Sequence, residues 1–164
     1  MDKEGHVLNA VLLGVGLGFI LEPAGTLATL RTVVAVTIPV TLGALFPDVD
    51  TAFGKHRKTL HNLPVLALFV AFPLVFENLA FVWVGVLTHY VLDVLGSTRG
   101  IALFYPLSSS EFGFPAGVTT SSRFANAVTL VITAVELGVA AAVVHVLPQY
   151  VDVSAVTEIV AVLP

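Results

Sequence analysis

Apolar side chains fall into five runs along the chain, at Val7–Leu21, about 29–46, Leu63–Phe76, Leu79–Leu95 and Phe124–Leu147, with polar residues gathered in the breaks. None of the runs alternates as a half-buried strand would, so each predicts a helix apolar on most of its circumference. Counted from Thr32, the second run covers only about 22 Å at ~1.5 Å per residue, against a hydrocarbon core of ~30 Å. Either Ala28–Leu30 extends it with Arg31 snorkelling, or the bilayer thins around it. Between the third and fourth runs, Glu77-Asn78 is a break tight enough for a helical hairpin, a single kinked helix being the alternative. The expected fold is therefore all-α: one polytopic membrane domain over residues 1–164, with about five transmembrane helices joined by polar loops.

Within the first run Gly14, Gly16 and Gly18 lack the strand-turn-helix context of a nucleotide loop. Gly14 and Gly18 instead form a Gly-x-x-x-Gly face on which a second helix can approach closely. Trp83 and Tyr90 read as packing or interfacial aromatics without a chemical role. Residues 96–123 make a long segment rich in Ser, Thr, Gly and Pro, interleaved with Phe104, Tyr105, Phe112 and Phe114. Its length favours a lid, a re-entrant piece or a substrate-contacting segment. The last run holds Glu136 and His145, and the tail 148–164 carries Asp152 and Glu158.

Composition agrees with a membrane assignment. Hydrophobic residues are 57% and charged residues 11%, against roughly 45–50% and about 25% in soluble domains, and the mean hydropathy is +0.98. A net charge of −4 with few, unstriped basic residues excludes a general nucleic-acid binder. With no cysteine there is neither disulfide nor thiolate chemistry. Lys3 followed by an apolar run resembles a signal peptide, but Glu22-Pro23 interrupts the cleavage region and predicts a retained anchor. Alternate crossing puts Lys3, Lys55, Arg57, Lys58, Arg99 and Arg123 on one side and Arg31 on the other. The positive-inside bias then makes the N-terminus cytoplasmic.

Polar chemistry concentrates in Phe46–Asn62. Asp48 and Asp50 follow Pro47, which ends the preceding helix, and His56 and His61 lie a few residues on. Carboxylate with imidazole suits zinc, manganese or iron better than calcium. The plainer reading is that Asp50 caps a short helix and that Lys55, Arg57 and Lys58 are a membrane-flanking basic loop. In the fourth run His89 and Asp93 share a helical face one turn apart, either as functional groups or as a self-satisfied buried pair. Topology brings His6, Asp48, Asp50, His89 and Asp93, with His61, to one membrane face. His145 falls near the other and reads as structural.

Leu-Phe-Pro-Asp-Val-Asp at 45–50, His-Arg-Lys-Thr-Leu-His at 56–61, Thr-His-Tyr-Val-Leu-Asp at 88–93, Gly-Ile-Ala-Leu-Phe-Tyr-Pro-Leu-Ser at 100–108, and His6 followed by Gly14 form an ordered set. Over residues 6–108 this set resembles the inner-membrane metal-dependent hydrolases, the YdjM-like or LexA-regulated membrane proteins. The family pattern His-Arg-Gly-x-Thr-His-Ser is altered here: Lys58 replaces the small residue, the Thr comes one place earlier, and Asn62 replaces Ser.

The resemblance implies a metal-dependent hydrolase in the cell membrane. Its substrate is expected to be a phosphoester or another lipid-linked ester at the cytoplasmic face. The expected ligands of the divalent ion, zinc or manganese, are His6, Asp48, Asp50, His89 and Asp93. Asp50, His61 and His56 are the expected proton-transfer groups, and Arg57, Lys58 and Arg99 the cations for an anionic head group. The alternative is a non-catalytic membrane protein with a structural or regulatory metal or His/Asp cluster. A midplane ion carrier fits less well, because these ligands sit near helix ends. Nothing in the sequence fixes an oligomeric state.

Overall fold

Each of the first three helices opens on a side-chain cap. Asp2 Oδ1 accepts from the Gly5 amide at 2.9 Å and starts α1, Lys3–Leu21. Thr26 and Thr29 form a reciprocal cap for α2, Leu27–Leu45. Pro47 at once begins a 3-10 turn, Pro47–Ala52, where its missing amide donor costs nothing. Asn62 caps α3, Leu63–Ala71, by accepting from the Val65 amide at 3.0 Å, and a 3-10 turn continues over Phe72–Leu74. α4 spans Val82–Leu95. α5, Ala125–Ala141, is prolonged by a π-helical turn at Ala142–Val146 and a 3-10 turn at Leu147–Gln149. The computed structural model describes residues 2–75, 80–115, 117–119 and 121–150. The predicted Glu77-Asn78 break and the tail carboxylates Asp152 and Glu158 lie outside the described residues.

The described residues thus form an all-helical membrane protein of five α-helices with no strand. Among the described residues three helical stretches are long and apolar enough to cross a bilayer, Lys3–Leu21, Leu27–Ala52 and Ala125–Gln149, whereas Leu63–Leu74 and Val82–Leu95 are apolar but shorter. α2 does begin before Arg31, so the extended form of the second span is the one adopted. Large apolar side chains such as Phe19, Ile38, Val131 and Val135 are exposed on the outside, as expected of a bundle whose surroundings are hydrocarbon.

Small residues let the helices touch. A Cβ added at Gly14 would stand 2.6 Å from Thr37 Cα, and one at Gly18 would stand 2.5 Å from Val33 Cα, so α1 and α2 cross through the predicted face. The α2–α4 crossing is tighter still, with a Cβ at Gly85 only 2.0 Å from the Val40 carbonyl oxygen. Ala10, Leu13 and Leu17 pack with Val36, Val40 and Ala44, while Phe69 of α3 packs with Val82, Val86 and Tyr90 of α4.

This up-and-down order gathers the start of α1, the end of α2, the start of α3 and the end of α4. His6 thereby meets Asp93 at 3.4 Å, the Ala44 carbonyl meets His89 at 2.7 Å, and the Asn62 amide meets the Tyr90 hydroxyl at 3.2 Å. The segment after α4 is a packed cover rather than a free loop. Bridges join Ser97 to Val118 and Ile101 to Phe112, the Phe114 amide donates to the Val94 carbonyl at 2.7 Å, and Ile101 and Ala102 are fully buried.

Candidate metal centre

Hydrogen positions around two buried histidines follow from their partners. His89 Nδ1 faces the Ala44 carbonyl oxygen at 2.7 Å, and a carbonyl only accepts, so Nδ1 carries the hydrogen and Nε2 a lone pair. His61 Nδ1 lies 3.0 Å from Asp50 Oδ2 and carries a hydrogen toward it, so in the neutral ring its Nε2 holds a lone pair as well. These two Nε2 atoms point at each other 3.1 Å apart. With both rings neutral, neither has a hydrogen to offer, and the contact is repulsive unless a proton or a metal cation is shared between them.

Two carboxylate oxygens complete the same space. Asp48 Oδ1 is 3.8 Å from His61 Nε2 and 3.7 Å from His89 Nε2. Asp93 Oδ2 is 3.7 Å from both. Four acceptor atoms from the 3-10 turn, the loop before α3, and α4 therefore converge. His61 and His89 are fully buried and Asp93 nearly so, whereas the Asp48 side chain is 24% exposed, so the cluster is open to solvent at Asp48.

A surrounding layer holds these groups in place. Asp50, fully buried, accepts from His61 on Oδ2, from the Leu60 amide at 3.3 Å, and on Oδ1 from His56 Nδ1 at 3.1 Å. Its carboxylate is thus saturated by the loop, which is the arrangement that fixes an imidazole tautomer. Asp93 Oδ1, turned away from Oδ2, meets His6 Nε2 at 3.4 Å and Arg57 Nη2 at 3.3 Å. The His6 ring stacks on His89 with centroids 3.7 Å apart, and its Nδ1 is buried without a hydrogen-bond partner among the described residues. Donor atoms of His6, His89 and Asp93 lie within 4.8 Å of one another, as do those of Asp48, His56 and His61. The structure thus brings the six groups His6, Asp48, Asp50, His61, His89 and Asp93 together, with His56 at the exposed rim.

Arg57, Lys58 and Arg99 have protein partners. Arg57 is buried in the left-handed region at φ 65, its carbonyl accepting from Ala102 at 2.9 Å and its Nη1 donating to Ser97 Oγ at 3.0 Å and to the Arg99 carbonyl. Lys58 donates to the Ser109 carbonyl and pairs with Glu111 at 3.5 Å. Arg99, 64% exposed, pairs with the same carboxylate at 3.1 Å. Burial alone would raise the Glu111 pKa, but hydrogen bonding to Arg99 and the charges of Arg99 and Lys58 outweigh it and hold it low. Desolvation lowers the His61 pKa against the opposing pull of the Asp50 and Asp93 carboxylates, which favours its neutral, ligating form. His145 is exposed, and its carbonyl accepts from Gln149.

Two contributors are not marked by the sequence as parts of the site. The Ala44 carbonyl is a backbone group available only where Gly85 lets α4 approach α2. Tyr90, whose hydroxyl donates to the Leu60 carbonyl and accepts from the Asn62 amide, anchors the loop that delivers His61.

A family model described as YdjM inner membrane protein matches residues 1–156. No curated protein and no solved structure matches the chain.

Proposed function

Because the chain belongs to the YdjM inner membrane protein family, we propose that it is a membrane-embedded metal-dependent hydrolase acting on a phosphoester or other lipid-linked ester at the cytoplasmic face. The observation that carries this reading is the opposed pair of Nε2 lone pairs at 3.1 Å between His61 and His89. Donors about 2.0–2.2 Å from one zinc ion stand about 3.3–3.6 Å apart in a tetrahedron. The His61, His89, Asp48 and Asp93 atoms are separated by 3.1 to 3.8 Å wherever an imidazole is one of the pair. Two imidazoles and two carboxylates suit zinc or manganese.

In this reading those four side chains hold the ion. Asp50 orients His61, while His6 and Arg57 orient Asp93. The ion, when bound, would lower the pKa of water and polarise the ester oxygen. His56, 41% exposed and 3.9 Å from Asp48 Oδ1, stands where a proton can pass between the cluster and solvent. Lys58 and Arg99 offer positive charge to an anionic head group. The N-terminus is cytoplasmic in this proposal, since the end bearing the cluster holds six of the seven basic residues.

Four protein donors also suit a structural or regulatory ion, because catalytic zinc sites have three protein ligands and keep the fourth position for water. Turnover decides between the two. Purified protein is expected to hold stoichiometric zinc or manganese and to cleave lipid phosphoesters, with both lost on chelation and restored by metal. Bound metal without turnover supports the non-catalytic alternative. Failure of zinc and manganese to bind at all overturns both.

A further inference from the structure

The hydrogen bonds around Glu136 do not close if its side chain is a carboxylate. Inside the bundle, Asn9 of α1, Thr88 of α4, and Thr133 and Glu136 of α5 form a polar island. Thr88 Oγ1 lies 2.6 Å from Asn9 Oδ1 and 2.6 Å from Glu136 Oε1. A hydroxyl has one hydrogen, and here it faces two acceptors at short range. Asn9 Nδ2 donates to Thr133 Oγ1 at 2.9 Å and to Glu136 Oε2 at 2.8 Å, which uses both amide hydrogens. Thr133 directs its own hydrogen to the Thr129 carbonyl at 2.8 Å.

The missing hydrogen can only come from Glu136. With a proton on Oε1, Glu136 donates to Thr88, Thr88 donates to Asn9 Oδ1, and every polar atom of the island is satisfied. Exchanging the oxygen and nitrogen of the Asn9 amide does not remove the need. The amide oxygen would then face Glu136 Oε2 at the same 2.8 Å, again acceptor against acceptor. Both amide orientations require one hydrogen on Glu136.

We propose that Asn9, Thr88, Thr133 and Glu136 form a proton-binding site within the membrane domain, with Glu136 held as a neutral carboxylic acid. An isolated carboxylate inside an apolar helix bundle is costly, whereas a neutral acid with both oxygens hydrogen-bonded is not. The hydrogen-bond partners of Glu136 are Asn9 and Thr88, neither of them charged. The nearest titratable side chains along the packed helices are His6, three residues before Asn9 on α1, and His89, next to Thr88 on α4; both belong to the metal cluster. The site is reachable from the apolar side. Thr88 and Glu136 line a cavity of about 590 Å³ whose other walls include Leu17, Trp83, Leu87 and Val139.

That access makes the proton testable with a hydrophobic carbodiimide. A carboxylic acid adds across one C=N bond of dicyclohexylcarbodiimide, its oxygen bonding to carbon and its proton passing to nitrogen. The full-length protein in detergent at neutral pH is expected to take one adduct, mapped to Glu136 by mass spectrometry, and to show the infrared carbonyl band of a protonated acid. Glu136→Gln is expected to lose both signals while keeping its melting temperature and metal content, since a glutamine amide can donate to Thr88 and accept from Asn9. Glu136→Ala removes both contacts and is expected to melt lower. A carboxylate band at neutral pH in place of the acid band overturns the proposal. Protection of Glu136 from the reagent by sodium at constant pH also overturns it, because the resident ligand would then be a metal cation.

Discussion

Asp93 and His56 are both ionisable and both near the cluster, yet they are held differently. Asp93 sits on α4, 1% exposed, with Oδ1 engaged by His6 and Arg57 and Oδ2 aimed between His61 and His89. His56 lies in the loop at 41% exposure, hydrogen-bonded to Asp50 and 3.9 Å from Asp48. Asp93→Asn leaves one of the four converging acceptors without its charge, so it is expected to abolish stoichiometric metal. His56→Ala is expected to keep the metal and to lower turnover only. Asp50→Asn acts through the tautomer of His61 and is expected to weaken metal binding by about 10–100-fold. Elemental analysis of the three purified variants beside lipid phosphoesterase rates checks this ordering. Full metal in Asp93→Asn with loss in His56→Ala would move the centre of the site into the loop.

Helices α2 and α4 touch backbone to backbone, and the chemistry depends on that contact. Gly85 faces the Val40 carbonyl oxygen and the Ala44 amide, where an added Cβ would lie at 2.0 and 2.6 Å. Backbone cannot rotate aside as a side chain can, so Gly85→Ala must separate the helices. The Ala44 carbonyl would then withdraw from His89 Nδ1, and the lone pair on Nε2 would lose its fixed direction. Overpacking of this kind costs about 1–3 kcal/mol. A lower melting temperature with weaker zinc affinity is expected, whereas unchanged affinity would separate the helix crossing from the cluster. A conservative substitution at lipid-facing Ile38, 56% exposed, should leave both unchanged.

The assembled chain places its basic residues asymmetrically. Lys3, the 47–62 loop and the 96–123 segment lie at the end where α1 begins and α4 ends, and Arg31 lies near the start of α2. Single cysteines introduced in the two loops are expected to react with the same sidedness, from the cytoplasmic face. Opposite accessibility of the loops would mean that one of the two short helices, α3 or α4, does not cross. Neither has the length of α1, α2 or α5, so this measurement bears directly on how α3 and α4 sit in the bilayer.

Apolar run lengths were enough to place α1, α2 and α5, because a helix surrounded by hydrocarbon needs no partner to define its outer face. Pro47 marked the end of α2, and the Gly14–Gly18 spacing marked where α1 meets α2, both being backbone effects written in single residues. The residue types of the His/Asp cluster and the end of the bundle where they gather were also readable, since alternate crossing fixes which helix ends are neighbours. Pair geometry was not. Asp48 and Asp50 are two residues apart and look equivalent in sequence, yet Asp48 Oδ1 joins the four converging acceptors while Asp50 turns to saturate His61, His56 and the Leu60 amide. Arg57 looks like a free surface cation until the segment from Ser97 to Ala102 folds over it. The Asn9–Thr88–Glu136 island joins residues up to 127 positions apart. Hydrogen bonds are short-range and directional, so which oxygen faces which hydrogen is decided only once the helices have docked.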